Sequence, residues 1–209
     1  MKISYAVTVC NEFLEIQRLI TFLLENKRPQ DEIVVLVDMT KNEPTSELLG
    51  YLHRLSSSNY IHLSEQKFNN HFADWKNYLT SLCKGNYIFQ IDADELPHSG
   101  LIEILPELLE ANPETDVFLV PRVNTVEGLT QEHIAKWGWN INDKGWVNFP
   151  DLQWRIWKNI DTISWKNKVH EVLQGFKTYT ALPSEELFSL YHPKTIERQE
   201  KQNNYYDTL

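Results

Sequence analysis

Three carboxylates fall within four residues at Asp92-Ala93-Asp94-Glu95, directly after the apolar run Tyr87-Ile88-Phe89-Gln90-Ile91. That run is rich in aromatic and β-branched residues and reads as a buried strand. Asp92 and Asp94 are two apart, so on an extended chain they leave on the same side. Two carboxylates on one face repel each other unless a cation joins them. Oxygen ligands suit a hard ion, Mg²⁺ or Mn²⁺, which completes its shell with water and substrate phosphates. A solvated acidic turn after a strand is the alternative, and for an isolated D-x-D it is the commoner one.

Such a pair needs a rigid support. Residues 3–9 are apolar and β-branched, a first buried strand. Asn11 or Glu12 opens a helix with Phe13, Ile16, Leu19, Ile20 and Leu23 on one face. Residues 32–37 form a second strand with Asp38 at its end, 39–44 a polar loop, 45–55 a second helix and 60–63 a short third strand. Asn69 or Asn70 caps a third helix, and Gly85 stops it. The fourth strand ends at Asp92. A fourth helix follows over 97–110, and then a fifth strand over 116–120. This alternation predicts an α/β fold, a mostly parallel central sheet flanked by helices. Such sheets bind ligands at the carboxyl ends of their strands. Thr8, Glu12, Asp38, Asp92 and Asp94 all fall at such ends. Polar clusters gathered on one rim raise the functional reading above the structural one. A plain turn role for Asp38 and a first-turn helix role for Glu12 stay open.

Beyond Pro121 the pattern changes. Residues 123–150 have weak periodicity and read as an inserted loop with at most short helices. Residues 153–157 and 162–165 read as a hairpin around 158–161. A last strand covers 187–191, and a polar helix starts at Pro193 and carries Arg198 and Lys201. The length of 209 residues suits one domain, with a first half over 1–121 and a second over 122–209. The net charge of −9 argues against nucleic acid or an anionic membrane as partner. Cys10 and Cys83 form no disulfide framework or zinc site and read as residues of a reducing compartment. The N-terminus has no signal-peptide pattern, and no run has the apolar length of a membrane span. A cytoplasmic location is expected, with a peripheral place at a membrane surface still open.

Four blocks carry a resemblance. They are Val7-Thr8-Val9-Cys10-Asn11-Glu12, Asp31-Glu32-Ile33-Val34-Val35-Leu36-Val37-Asp38, Phe72-Ala73-Asp74-Trp75-Lys76-Asn77, and residues 85–95. In this order and at this spacing the chain resembles the family 2 glycosyltransferases, whose GT-A fold is Rossmann-like and binds nucleotide sugars. A later block, Pro150-Asp151-Leu152-Gln153-Trp154-Arg155-Ile156-Trp157 with Lys168-Val169-His170-Glu171, resembles the subgroup related to lipopolysaccharide-core glycosyltransferases. The resemblance covers most of the chain and is weakest over 123–148.

The resemblance implies a single GT-A domain with a small C-terminal antiparallel element and a C-terminal helix, close to a minimal catalytic unit. It implies a UDP-sugar donor, a glycan or lipid-linked acceptor and a divalent metal, Mn²⁺ or Mg²⁺. Thr8, Glu12, Asp38 and Asp92 would line the nucleotide. Lys76 stands where the family often has arginine and keeps charge without bidentate geometry. Only the first carboxylate of the family's aspartate-rich run survives in Asp38-Met39-Thr40-Lys41-Asn42. Asp94, with Asp92 and His170, would hold the metal. One inverting displacement is implied, with Asp151 as general base, Glu171 second and Asp143 third. His192, Arg198 and Lys201 could close over the diphosphate or form a solvated face. Trp154, Trp157 and Trp165 read as core, while Trp137, Trp139 and Trp146 could stack on sugar rings or fill a second core. A sugar-1-phosphate nucleotidyltransferase would carry a glycine-rich loop after the first strand, which Val9-Cys10-Asn11-Glu12 lacks. A non-catalytic nucleotide-sugar-binding module would have little need of Asp92, Asp94, Asp151 and His170 together.

Overall fold

The computed structural model describes residues 1–40 and 44–206. Part of the expected polar loop at 39–44, including Lys41 and Asn42, lies outside the described residues. The first half alternates as its periodicity predicts. β1 (Ile3–Val9), α1 (Phe13–Asn26), β2 (Glu32–Asp38), α2 (Ser46–Ser57), β3 (His62–Gln66), α3 (Phe72–Leu82) and β4 (Tyr87–Asp92) follow one another. The short β5 (Leu96–Pro97) comes next, then α4 (Ser99–Ala111), β6 (Val117–Val120) and β7 (Arg122–Glu127). The second half holds α5 (Gln131–Trp137), β8 (Gln153–Lys158), β9 (Ser164–Lys166), β10 (Val172–Gln174), β11 (Tyr179–Ala181), β12 (Leu190–Thr195) and α6 (Ile196–Tyr206).

Seven strands make the central sheet in the order β11-β6-β8-β4-β1-β2-β3. β4, β1, β2 and β3 are mutually parallel neighbours. The nearly continuous apolar sequence of β1, β2 and β4 fits strands covered on both faces, while the polar β3 is an exposed edge. One face packs Tyr5, Val7 and Phe89 under α1, α2 and α4, through residues such as Leu19, Leu48 and Leu105. The other packs Ala6, Leu36 and Ile88 against Leu79, Trp157 and Trp165. β5, β12 and β7 form a separate small sheet, and β9 pairs antiparallel with β10.

Several expectations need correction. β8 does not form a hairpin with β9. It runs antiparallel between β4 and β6, since Ile156 and Trp157 are both fully buried and only an interior position covers both. The region 123–150 is not all loop, because β7 pairs in parallel with β12 over six residues. β12 does not stop at Tyr191. It runs through Pro193, which is tolerated because β5 pairs only with Leu190 and Tyr191, so one edge is open there. α3 is capped by the side chain of His71 rather than an asparagine, and it ends at Leu82. Gly85 lies beyond that end and answers a packing need instead. A Cβ there would lie 2.7 Å from the backbone nitrogen of Ser4, so β1 and the entry to β4 can pack only against glycine. α4 begins at Ser99, two residues later than Pro97, with the His98 side chain accepting from the Gly100 N–H.

Candidate functional site

The carboxyl ends of β4, β1 and β2 lie side by side. Thr8 sits opposite Asp92 in the β1–β4 register, and Val9 opposite Val37, one residue before Asp38. The rim inferred from strand order is therefore one continuous edge. Asp38 Oδ1 accepts from the backbone N–H of Thr40 at 2.7 Å and of Phe68 at 3.2 Å, which fixes the carboxylate between two loops. Glu12 Oε2 folds back onto the N–H groups of Cys10, at 2.9 Å, and Asn11, at 3.1 Å. It thereby closes the turn between β1 and α1 from its own N-cap position.

Asp92 and Asp94 are divided in their partners. Arg155 of β8, only 3 % exposed, donates through Nη2 to Asp92 Oδ2 at 2.5 Å and to Glu95 Oε1 at 2.6 Å. Glu95 is fully buried and also accepts from the Asp92 N–H (3.1 Å) and Arg122 Nη1 (3.2 Å). Burial alone would raise the Asp92 pKa. The Arg155 guanidinium, then Lys76 and Arg122, outweigh burial and hold it below the usual range. Asp94 turns the other way. Its Oδ2 lies 3.3 Å from His192 Nε2 and 3.2 Å from Arg198 Nη2. Here too burial is the largest influence and is outweighed, by His192 and Arg198, so the pKa is lowered. Arg198 also reaches Glu15 at 3.2 Å and Glu12 at 3.8 Å, tying α6 across the mouth of the rim to α1.

The expected metal set of Asp92, Asp94 and His170 is not assembled. Among the described residues no three His, Cys, Asp or Glu side chains are disposed to hold an ion. Asp92 is engaged by Arg155, and His170 lies in the turn between β9 and β10 with a left-handed backbone, φ 53°. The histidine at Asp94 is His192. Asp94 and His192 supply one oxygen and one nitrogen donor, too few to hold an ion unless phosphate oxygens and water complete its shell, and Arg198 stands on the same Asp94 oxygen.

Asp151, at φ 33°, is held from three directions. Its Oδ2 accepts from Arg122 Nε at 2.9 Å and Asn124 Nδ2 at 2.6 Å, and its Oδ1 from Gln153 Nε2 at 2.8 Å. Burial would raise its pKa, but Arg122 foremost, then Asn124 and Gln153, lower it. Glu171 pairs directly with Lys76, whose ammonium also sits 4.3 Å from the Trp165 ring centroid. Lys76 thus reaches both Glu171 and the field of Asp92. Asp143 lies apart, with Lys144 and Glu186 in the wall of a second cavity of about 460 Å³. Lys201 is exposed.

Glu95, Arg122, Asn124 and His192 are the site residues that sequence reasoning passes over or leaves open. The signal for His192 is its alternation with Leu190 and Lys194, hidden when Pro193 is read as a helix start. A cavity of about 220 Å³ opens beside them, between β7, β12, α6 and the segment 139–148. Trp157 and Trp165 are core, and Trp154 packs on Phe176 at 5.4 Å between ring centroids. Trp139 is a wall of the smaller cavity and packs against Trp137, tilted by 46° with ring centroids 4.6 Å apart.

Comparison with known proteins bears on the family and the fold. Residues 4–188 match the family model described as Glycosyl transferase family 2. No curated protein sequence matches the chain. S. aureus TarS superposes with a TM-score of 0.61 at 14 % identity, over 92 % of this chain and 37 % of TarS. Residues 1–349 of TarS in complex with UDP give 0.62 at 14 % identity, over 92 % of this chain and 60 % of that one. The same piece with UDP-GlcNAc gives 0.54 at 14 % identity, over 90 % and 60 %. The likeness is one of fold, and the chain spans less than two thirds of these neighbours.

Proposed function

The chain belongs to glycosyl transferase family 2, and on that premise we propose that it transfers a sugar from a nucleoside diphosphate sugar, a UDP-sugar, to an acceptor hydroxyl with inversion. The observation that carries the reading is the single rim on which Thr8, Asp38 and the Asp92–Asp94 pair stand at the ends of three adjacent parallel strands. Crystallised complexes of TarS, which shares the fold, hold UDP and UDP-GlcNAc. The later blocks, with Arg155 and Val169-His170-Glu171, are the grounds for placing the chain near the lipopolysaccharide-core subgroup.

Thr8, Glu12 and Asp38 would border the nucleoside, and Asp92, held by Arg155, would face the ribose. Asp94 and His192 would hold a divalent ion, whose chemistry is to neutralise charge on the leaving diphosphate. Arg198, already at Asp94, brings a guanidinium to the same place. Asp151 would take the proton of the acceptor hydroxyl. It is ionised well below neutral pH, and its Arg122 and Asn124 partners line the adjoining cavity. Its lowered pKa makes it a modest base, which orientation must offset. Glu171, tied to Lys76, is the second choice. The acceptor would be a glycan or a lipid-linked glycan met at a membrane surface. No helix among the described residues is long and apolar enough to cross a membrane.

The test is product analysis with a panel of UDP-, GDP- and dTDP-sugars, with Mn²⁺, Mg²⁺ or chelator. Release of UDP from one donor, lost in Asp94→Ala, supports the reading. Release of pyrophosphate or nucleoside triphosphate would assign a nucleotidyltransferase instead. Tight UDP binding with no turnover in the presence of any acceptor would leave a binding module.

A further inference from the structure

Asn124 lies between Asp151 and His192 and is bonded to both. It stands on β7 opposite His192 of β12 in the parallel register, so the two side chains leave the small sheet on one face. Its backbone carbonyl accepts from the Val147 N–H at 2.9 Å, which fixes the strand at this residue. Asn124 Nδ2 lies 2.6 Å from Asp151 Oδ2, and Asn124 Oδ1 lies 2.7 Å from His192 Nδ1. An amide has a donor end and an acceptor end, and its neighbours decide which faces which. The Asp151 carboxylate, held ionised by Arg122, only accepts. Turning the amide over would set two acceptors 2.6 Å apart, so Nδ2 faces Asp151 and Oδ1 faces the imidazole.

At 2.7 Å, Asn124 Oδ1 requires a proton on His192 Nδ1. A ring protonated on Nε2 alone would oppose two lone pairs there. Nε2 lies 3.3 Å from Asp94 Oδ2, a longer contact to an oxygen that Arg198 shares at 3.2 Å. A singly protonated His192 therefore carries its proton on Nδ1 and presents a lone pair at Nε2, by the margin of one hydrogen bond, roughly tenfold. The donors also divide the two oxygens of Asp151. Oδ2 accepts from Arg122 Nε at 2.9 Å, from Arg122 Nη2 at 2.8 Å and from Asn124. Among the described residues Oδ1 accepts only from Gln153 Nε2, at 2.8 Å. Three donor groups crowd Oδ2, so a proton that reaches the carboxyl lands on Oδ1.

We infer that Asn124 is a positioning residue: its one amide keeps Asp151 Oδ1 open for the acceptor's proton and keeps the His192 proton on Nδ1, with Nε2 turned to Asp94. The word acceptor rests on the transferase reading, whereas the state of His192 stands on the hydrogen-bond geometry. In the transfer, the acceptor oxygen bonds to the anomeric carbon as its proton passes to Asp151 Oδ1. The bond from that carbon to the diphosphate breaks, and its electron pair leaves on the diphosphate oxygen. Asn124 acts on these steps through the two side chains that it orients.

The test is nitrogen-15 NMR of the imidazole rings in the unliganded protein at about pH 9, above the ordinary histidine range of about 6.5. The His192 signals are those lost in His192→Gln. The unaltered protein should show a proton on Nδ1. Asn124→Leu is close in shape and makes neither hydrogen bond, so its His192 should carry the proton on Nε2, where Asp94 accepts it, and none on Nδ1. Asp151→Gly asks the same question with Asn124 in place, since glycine suits the left-handed backbone at 151. With the carboxylate gone the amide is free to turn over. The Nε2–H form should then rise from under about one tenth to about one half, although residue 151 reaches the ring through Asn124. A bare Nδ1 in the unaltered protein overturns the inference, and so does a proton that stays on Nδ1 in both variants. In the transfer reaction Asn124→Leu should lower kcat about tenfold or more; an unchanged kcat in a variant whose proton has moved overturns the positioning role. Absence of transfer by the unaltered protein from every donor counts against the transferase reading, while the spectra still decide the state of His192.

Discussion

Arg155 links the acidic stretch to the antiparallel strand that crosses it. It is buried, and it meets the carboxylates of both Asp92 and Glu95. Removing one partner of such a group leaves uncompensated charge inside the protein, which costs about 3–5 kcal/mol. Arg155→Met should therefore lower stability to urea by that amount. The double variant with Glu95→Gln should be destabilised by less than the sum, since the two side chains form one network. Strict additivity would show that Arg155 and Glu95 are energetically independent. The choice of base is also a residue-scale matter. Asp151→Asn should reduce kcat by about 10²–10⁴ and keep the Arg122 contact, while Glu171→Gln should act mainly on the Lys76 ion pair and spare kcat. The reverse pattern would move the proton acceptor to Glu171. Asp92 and Asp94 stand out in the sequence because they close an apolar strand, whereas Asp151 is picked out only by the family resemblance of its block. His192 is not picked out, because its role depends on a strand pairing that Pro193 disguises. His170 has the more suggestive local context in Val-His-Glu, although tertiary structure puts the other histidine at Asp94.

At the scale of elements, periodicity recovers the first half because parallel strands and amphipathic helices each repeat a local pattern. The second half resists such reading because its strands are defined by distant partners. β8 inserts between β4 and β6, and β12 joins β7 across more than sixty residues. The β9–β10 hairpin shows how much a single backbone position can decide. Gly175 has φ +88°, and a Cβ there would lie 1.7 Å from the Thr162 carbonyl oxygen, which is backbone and cannot swing aside. Gly175→Ala should cost about 2–4 kcal/mol, overpacking together with left-handed strain. It should also loosen the turn that bears Glu171, detectable as a lower Tm; an unchanged Tm would mean the turn adapts freely. α6 should respond differently. Arg198 is about one third exposed, so its ion pairs add little to folding. Arg198→Met should change stability by less than about 1 kcal/mol yet weaken UDP binding about tenfold through the lost phosphate contact. Equal binding by the variant would make α6 a bystander.

Across the whole molecule the site is a product of sheet order. Three strands from separate βα units end on one rim, and β8 and β12 bring Arg155 and His192 back to it from the second half. The architecture collects more charge near the rim than solvent alone would stabilise, and that has a consequence for acid stability. Asp92, Asp94 and Asp151 all have lowered pKa values in the folded protein, and so does Glu32 at the opposite end of the sheet. As pH falls, the unfolded chain takes up protons at these positions first, near the ordinary carboxylate range of about 4. Their contribution is therefore present above that range and is lost as pH falls through the folded values. At the alkaline end the sign reverses. Burial pushes the Cys83 thiol up to about 12, so the unfolded chain loses that proton first and stability declines above about pH 8.5. Urea midpoints measured from about pH 2 to 11 should form a plateau between about pH 5 and 8 that falls on both sides. In Arg155→Met the acid limb should be shallower, because Asp92 has lost the guanidinium that lowered it, and in Cys83→Ala the alkaline limb should flatten. An acid limb of the same slope in Arg155→Met would mean that the rim carboxylates titrate in the folded protein as they do in the unfolded chain, and that the electrostatic account of the site is wrong.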